Sequence, residues 1–326
     1  MVASIDKNVA FILQEELRIK VMNMSSTKNP RILSIQSHVV SGYVGNKSAT
    51  FPLQLLGFDV DTINSVQLSN HTGYKVVKGQ VLNDKDLGKS TTMIDELVHG
   101  LAENDLDNYT HLLTGYVGSA SFLKRIAILV KALKQKNPHL IYVCDPVIGD
   151  NGKMYVPEEL KDIYKKEIVP LADILTPNQF EIELLTGKKV NNIDELQIAI
   201  KELHKAGPQI VAVSSSEINS KLTAVISSLK DDVLLKVDIP QIPASFTGTG
   251  DLFAALFLAH TYLQNDIKTA TEKTINSLQG VLQETFKAFN EYKNEEAQFS
   301  RKIELRLIQS KRHIENPEIT LRAEFL

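Results

Sequence analysis

The segment Thr247-Gly248-Thr249-Gly250-Asp251 combines residue types that can bind a phosphate and accept a proton. Its two glycines let the backbone approach a ligand closely, and the apolar segment that follows predicts a helix whose first turn offers unpaired amide groups to an anion. A carboxylate beside a phosphate is repelled unless it has a task, and Asp251 could accept the proton of an attacking hydroxyl. For this segment alone, a tight turn with Asp251 capping the helix is the simpler interpretation.

Two further segments place oxygen ligands at the ends of predicted strands. Asp145 and Asp150 lie in DPVIGD, after the apolar run HLIYVC, and Asn178 and Glu181 lie in TPNQFE, after the next strand. Hard oxygen ligands of this kind suit Mg²⁺ bound to the phosphates of ATP. Each motif alone fits a turn or a cap equally well. Three such motifs at strand or helix ends together favour a phosphate-transfer site.

Other known nucleotide and metal patterns fail here. In GYVGNKS, from Gly42 to Ser48, the residue before the lysine is Asn46, whereas a P-loop requires glycine there. The spacing of Gly248, Gly250 and Phe253 also departs from the dinucleotide pattern G-x-G-x-x-G. The eight histidines show no metal-binding spacing. A P-loop enzyme, a Rossmann dehydrogenase and a histidine-based metal site are therefore disfavoured.

Apolar runs alternate with amphipathic segments from Arg31 onward. Strands are predicted near 31–37, 58–67, 111–114, 139–145, 172–176 and 209–216, with one or two antiparallel strands in 219–239. Helices are predicted near 47–56, 84–103, 121–136, 179–185, 193–206 and 252–263, with one or two in 266–292. This alternation indicates an α/β fold with a doubly wound, mostly parallel central sheet and helices on both faces. Ligands of such sheets bind at the carboxyl ends of the strands.

Composition limits the classes of partner. The chain has 326 residues, 43% of them hydrophobic, and a formal charge of -3. This balance gives no reason to expect nucleic acid or an anionic membrane as a partner. No run approaches the ~20 apolar residues of a membrane-spanning helix. The single cysteine, Cys144, lies in an apolar run, which favours a core position and a reducing, cytoplasmic location.

Residues 1–30 differ from the rest of the chain. They lack the pattern of a secretion signal and argue poorly for a transit peptide. We expect an N-terminal appendage, helical over about 8–21 or disordered, followed by a single domain over 31–326.

Several segments in order carry a family resemblance. They are SIQSHVVSGYVGNKSATFPLQLLGFDVDTINSVQLSNHTGY, LTGYVG, YVCDPVIGD, MYVP, PLADILTPNQFE and GTGDLFAA. Through them the chain resembles the pyridoxal kinases, members of the ribokinase superfamily, from about Arg31 to its C-terminus. The resemblance implies a three-layer αβα fold. It also implies ATP-dependent phosphorylation of the 5′-hydroxymethyl group of pyridoxal, pyridoxine and pyridoxamine, which yields pyridoxal 5′-phosphate in vitamin B6 salvage.

The same resemblance implies roles for individual residues. Asp251 matches the catalytic base, and the amides of Gly248, Thr249 and Gly250 would stabilise the transferring phosphoryl group. The residues matched to the pyridoxal ring are Ser37, Thr72 and Tyr116. Those matched to magnesium, the monovalent cation and the phosphates are Asp145, Asp150, Thr176, Glu181, Ser214 and Ser215, and Tyr155 matches the loop that closes over ATP. Mg²⁺, a monovalent cation such as K⁺ and a homodimer are implied in the same way.

Two alternatives stay open. A sibling kinase acting on hydroxymethylpyrimidine or a sugar would share the GTGD segment but not SIQSHVVSGYVGN or SNHTGY. Outside enzymes, the chain could be a vitamin B6-binding or interaction protein that has lost turnover. Leu68 also departs from many relatives, which carry an aromatic residue against the ring.

Overall fold

A computed structural model describes residues 30–81, 93–291 and 299–326 of the chain. The helix expected over 8–21 lies outside the described residues, as does the 84–92 portion of the helix expected over 84–103. The division into an appendage over 1–30 and one domain over 31–326 stays a prediction.

The described residues form one ten-stranded sheet. Its strands are β1 (Arg31–Val39), β2 (Asp59–Leu68), β3 (Gly79–Val81), β4 (His111–Thr114), β5 (Ile141–Cys144), β8 (Ile174–Leu175), β9 (Ile210–Ile218), β10 (Lys221–Ser228), β11 (Val233–Ile239) and β12 (Glu324–Phe325), while β6 (Gly149–Asp150) and β7 (Lys153–Met154) form a separate hairpin. The order of the strands across the sheet is β12-β11-β10-β9-β8-β5-β4-β1-β2-β3. The six strands from β9 to β2 in this order pair in parallel, and the four remaining pairings are antiparallel. The expectation of a mostly parallel central sheet is confirmed.

Successive residues of the central strands pack into opposite layers. On β1, Ile32 belongs to one hydrophobic cluster, whereas Leu33 and Ile35 belong to the other. Leu112 and Leu113 of β4 divide in the same way. Both faces are therefore buried, which explains why these strands have nearly continuous apolar sequences.

Helices cover both faces of the sheet. One layer contains α2 (Met93–Glu103), α3 (Ala120–Lys136), α4 (Glu158–Ile163), α5 (Gln179–Thr186) and α6 (Ile193–Ala206). The other layer contains α1 (Asn46–Leu55), α7 (Thr249–Leu263), α8 (Ile267–Glu291) and α10 (Lys311–Glu315), while the short α9 spans Phe299–Lys302. The three-layer αβα expectation is confirmed.

Helix α7 lies deep in its layer. Every residue from 252 to 260 is buried, because α1, α8 and the sheet surround it. A helix that is apolar on all sides is stable only in such a position. The glycine-rich segment before α7 is thereby attached to a rigid part of the core.

Some elements differ from the prediction. The strand predicted from HLIYVC ends at Cys144, and a small hairpin that was not predicted, β6 (Gly149–Asp150) with β7 (Lys153–Met154), begins at the end of DPVIGD. A π-helical turn at Tyr164–Ile168 and a 3₁₀ turn at Val169–Leu171 connect α4 to β8. The segment 219–239 holds two strands, and 267–291 is one helix. Within the described ranges, no helix has the length and apolar character needed to cross a bilayer.

Candidate active site

The sheet reverses its winding between β1 and β4. The chain runs from β1 to its neighbour β2 on one side, and later to β4 on the other side of β1. Helix α1, after β1, and helix α3, after β4, pack on opposite faces. Doubly wound sheets bind ligands in a crevice beyond the carboxyl ends of the strands at such a reversal, here β1 and β4.

Asp251 lies in the first turn of α7, next to the turn that follows β1. Its Oδ2 accepts a hydrogen bond of 2.8 Å from the backbone amide of Gly45, which precedes α1. Burial raises the pKa of the Asp251 carboxyl, and the Gly45 amide opposes that rise. Gly45 also lies against Ser37, since a Cβ at Gly45 would fall 2.3 Å from the Ser37 Oγ. The structure thus connects Ser37 to Asp251 through the Gly45 backbone.

The glycine before α7 is required by its surroundings. Gly248 caps the helix with a φ of 88°, in the left-handed region that favours glycine. A Cβ at this position would lie 2.4 Å from the carbonyl oxygen of Tyr43. The sequence predicted that this glycine lets the backbone approach a ligand closely. In the structure Gly248 also lets two segments of the chain approach each other closely.

Asp145 lies beside the start of α7. A Cβ at Gly250 would be 3.7 Å from the Asp145 Oδ2. Burial raises the pKa of Asp145 well above its usual value, Glu181 and Asp251 raise it further, and a hydrogen bond from Thr176 opposes the rise. Within the described chain the Oδ2 of Asp145 is buried and has no hydrogen-bond partner. A buried carboxylate oxygen in that state suits a bound cation.

Glu181 is held firmly by backbone amides. Its Oε2 accepts from the Asn178 amide at 2.9 Å, and its Oε1 accepts from the Ile148 amide at 3.0 Å and the Gly149 amide at 3.4 Å. Asn178 in turn accepts from the Glu181 amide, which completes a capping box at the start of α5. Burial raises the pKa of Glu181 to about 8, although the three amides oppose the rise. With these amides on both oxygens, we expect Glu181 to meet a metal ion through water.

Asp150 is placed by the β6–β7 hairpin. Asn151 and Gly152 form its two-residue turn with φ values of 49° and 76°, as in a type I′ turn. The Asp150 carboxylate accepts from the backbone and side-chain nitrogens of Asn151 at 2.8 and 3.0 Å. Tyr155 follows the hairpin with 52% of its surface exposed, and Asp150 and Glu181 both contribute to raising its pKa, after burial. The dipeptide Asn-Gly was the sequence signal for this hairpin.

The serines of β9 adjoin the same edge. The Ser214 amide donates to the Pro177 carbonyl at 3.0 Å, which joins β9 to the loop that carries Thr176. Ser215 is the next residue of β9 and is partly buried. A groove lies further along β9, between the β9–β10 turn and the end of β11. Its lining is Ser220, Lys221, Leu222, Asp238, Ile239, Pro240 and Gln241.

Comparison with known proteins assigns the family. A sequence model of the phosphomethylpyrimidine kinase family matches residues 74–294. The chain is 47% identical to human pyridoxal kinase over 91% of this chain and 98% of that protein, and 50% identical to pyridoxal kinase of Arabidopsis thaliana over 90% and 94%. The chain belongs to the pyridoxal kinase family. The family expectation from the sequence is confirmed.

Solved structures in this family agree in fold. Pyridoxal kinase of Leishmania donovani, in complex with ADP and pyridoxamine, superposes with a TM-score of 0.80 at 32% identity, over 91% of this chain and 100% of that one. The Trypanosoma brucei pyridoxal kinase superposes with a TM-score of 0.77 at 33% identity, over 92% and 100%.

The residues that the family resemblance matched to the pyridoxal ring lie around the crevice. Ser37 is buried near the end of β1. Thr72 is exposed on the loop after β2, and Tyr116 is partly buried on the loop after β4, where its carbonyl accepts from Ser65 Oγ at 2.5 Å. Leu68, the last residue of β2, pairs with Gly79 of β3.

Two sets of residues at this edge were not anticipated. Asn46 is buried at the start of α1, where its Oδ1 accepts a hydrogen bond from Ser34 Oγ at 2.8 Å. Its Nδ2 donates to the Ile63 carbonyl at 3.0 Å and to Asn64 Oδ1 at 2.8 Å. These contacts fix the turn that carries Gly45. Glu304, far along the chain, contacts Tyr74 after β2. Neither has a local sequence signal, because both act through segments that are distant in sequence.

Proposed function

We propose that this chain transfers the γ-phosphate of ATP to the 5′-hydroxymethyl group of pyridoxal, and of pyridoxine and pyridoxamine, to give the 5′-phosphates. The observation that carries the proposal is the position of Asp251, which the Gly45 amide holds at the mouth of the crevice beside Asp145. Membership of the pyridoxal kinase family supports the choice of substrate.

In this mechanism Asp251 takes the proton of the substrate hydroxyl as its oxygen attacks the γ-phosphorus. A new O–P bond forms, the bond from the γ-phosphorus to the β,γ-bridging oxygen breaks, and ADP leaves. The amides of Gly248, Thr249 and Gly250, with the positive end of the α7 dipole, stabilise charge on the moving phosphoryl group. The protein therefore acts mainly by positioning and electrostatics.

The carboxylates of Asp145, Asp150 and Glu181 form an acidic edge, which could hold two kinds of cation. Asp145, with its partnerless Oδ2, and Thr176 would hold a monovalent cation such as K⁺. Asp150 directly, and Glu181 through water, would hold Mg²⁺. Among the described residues no three His, Cys, Asp or Glu side chains form a ready-made metal site, which fits an ion bound through one or two carboxylates, waters and phosphates. When bound, Mg²⁺ would neutralise phosphate charge.

The nucleotide would lie along β9. The Ser214 amide donates to the Pro177 carbonyl, and Ser215 is the next residue of β9. The base and the ribose would lie in the groove between the β9–β10 turn and β11, where the apolar side chains of Leu222, Ile239 and Pro240 adjoin the ion pair of Lys221 and Asp238. Tyr155, half exposed after the hairpin, would close over the phosphates.

The vitamin would occupy the crevice between β1 and β4. Ser37 and Thr72 would hold the polar substituents of the pyridine ring, and Tyr116 would pack against it. Leu68 supplies aliphatic rather than aromatic surface near this site.

One substrate assay tests the proposal. Purified protein with ATP and Mg²⁺ is given pyridoxal, pyridoxine, pyridoxamine, hydroxymethylpyrimidine or ribose in parallel, and ADP release and the phosphorylated product are measured. We expect the three B6 vitamers to give the highest kcat/KM. Hydroxymethylpyrimidine is the second candidate because the matching family model describes phosphomethylpyrimidine kinases. Preference for hydroxymethylpyrimidine or ribose would replace the proposal, and pyridoxal binding without transfer would indicate a non-catalytic binding protein.

Two assignments accompany this function. The free, buried Cys144 supports a reducing compartment, for which we propose the cytoplasm. We also propose a homodimer, which light scattering on the purified protein would test.

A further inference from the structure

Glu304 lies where the C-terminal part of the chain meets the crevice. Its Oε1 accepts a hydrogen bond of 2.8 Å from the Tyr74 hydroxyl and is 3.6 Å from the His71 Nε2. Both partners belong to the loop after β2, and Thr72 stands between them. The same oxygen lies against the loop after β1, since a Cβ at Gly42 would be 2.7 Å from it.

Contacts of Glu304 and of the residues just before it extend this connection. Ser300 Oγ donates to the Gly73 carbonyl at 2.7 Å, and the Ser300 carbonyl is 3.2 Å from the His71 Nε2. The Thr247 amide donates to the Ile303 carbonyl at 3.3 Å, and Thr247 forms a bridge with Glu304. The segment 300–304 thus joins the loops after β1 and β2 to the residue that leads into the glycine-rich segment.

We propose that Glu304 is a positioning residue for the pyridoxal pocket. It fixes the loop that carries Thr72 relative to the turn that carries Gly45 and relative to Asp251. This inference rests on the proposed kinase function. It follows from the convergence of the loops after β1 and β2 on one carboxylate, which is 14% exposed, and from the backbone bridge between Glu304 and Thr247. Thr72 itself is exposed, so its loop needs flanking contacts to keep a fixed position.

The Tyr74 contact has a stable direction. Burial, followed by the hydrogen bond to Glu304, raises the pKa of Tyr74 to about 12, so the hydroxyl remains a donor in neutral solution. An amide oxygen can accept from this hydroxyl as a carboxylate does, whereas a methyl group cannot. This difference separates a Gln from an Ala at position 304.

Steady-state kinetics of four variants tests the inference. Glu304→Ala is expected to raise the KM for pyridoxal about 10-fold, the size expected for one charge-assisted hydrogen bond, with the KM for ATP within about twofold of the parent. Glu304→Gln is expected to stay within about threefold of the parent for both substrates. Glu318→Ala, at an exposed position of the same C-terminal part, serves as the matched control and keeps the parent constants.

Tyr74→Phe gives a second, milder test. It removes only the hydroxyl that donates a hydrogen bond to Glu304. We expect a rise of about threefold to tenfold in the KM for pyridoxal. Combined with Glu304→Ala it should add little, because both changes break the same contact. If Glu304→Ala does not fold, as judged by its thermal unfolding, Tyr74→Phe and the Gln variant decide the matter.

The outcomes separate this inference from the proposed function. A parent protein that does not phosphorylate pyridoxal refutes the function itself. A parent protein that is active, with folded Glu304→Ala and Tyr74→Phe variants that keep its KM for pyridoxal, refutes positioning by Glu304. Equal increases in the KM for ATP and for pyridoxal would point to a general structural role and would also overturn the inference.

Discussion

The backbone amide of Gly45 donates a 2.8 Å hydrogen bond to the carboxylate of Asp251, 206 positions further along the chain. This contact joins the start of α1 to the start of α7. It has two consequences for a general base: the carboxylate is oriented toward the crevice, and the amide stabilises its ionised form against burial.

Replacing Asp251 by Asn should abolish most turnover. Asn is nearly isosteric and can still accept from the Gly45 amide, but it cannot take the proton of the hydroxyl. We expect kcat to fall by ~10²-fold or more with little change in thermal unfolding. A coupled assay of ADP release measures the effect, with Asp162→Asn at an exposed position of α4 as control. Activity within tenfold of the parent would remove Asp251 from the role of base.

Replacing Gly248 by Ala should lower both the stability of the protein and its activity. The new Cβ would meet the Tyr43 carbonyl oxygen at 2.4 Å, in a backbone conformation with φ of 88°. We expect a loss of about 1–3 kcal/mol in the free energy of unfolding and a large loss of kcat/KM. Gly100→Ala in α2, where a Cβ meets nothing within 4 Å, should be neutral or stabilising. Chemical denaturation and turnover measure both, and a fully active, stable Gly248→Ala protein would contradict this account.

The ligand-free protein should lose stability between pH 6.5 and 8 through Glu181. Burial raises the pKa of this carboxyl from 4.5 to about 8, so the folded state keeps a proton that the unfolded state has already released. Stability therefore falls as pH rises through this window. Glu181→Gln keeps a side chain that can cap α5 and should reduce the slope. Thermal unfolding in buffers without divalent ions or nucleotide measures the difference from the parent.

Two buried histidines affect the pH dependence of stability below pH 6.5. Burial lowers the pKa of His111 and of His260 from 6.5 to about 4, and these groups change stability in the opposite direction below pH 6.5. Glu183→Gln, on the same helix, should retain the pH dependence of the parent. An identical slope for the parent and Glu181→Gln would show that Glu181 does not titrate in this range.

Replacing Asp150 by Asn should weaken the binding of magnesium. Asn retains one oxygen of the hairpin carboxylate but not its charge, so the Mg²⁺ concentration for half-maximal rate should rise by about 10-fold or more. Titrating Mg²⁺ at fixed ATP measures the shift. Asp266→Asn, at the start of α8 and away from the acidic edge, should leave it unchanged. An unaltered Mg²⁺ requirement in Asp150→Asn would place the ion elsewhere.

Local patterns predicted the elements of the site well. The apolar run before Asp145 predicted a strand covered on both faces, and the glycine-rich segment before α7 predicted a helix start. Both predictions succeed because burial and capping are short-range demands on residue type. The hairpin of Asn151 and Gly152 was missed although its turn signal was present, since its two-residue strands are too short for a periodic pattern.

The amino-acid sequence by itself determined the α/β class, the family and the identity of the acidic and glycine-rich motifs, because these depend on residue type and spacing along the chain. Only the tertiary structure decided that the Gly45 amide holds Asp251, that backbone amides occupy Glu181, and that Glu304 joins the substrate loops. Such contacts link segments brought together by the sheet order, and local sequence carries no record of which distant amide or carboxylate will become a neighbour.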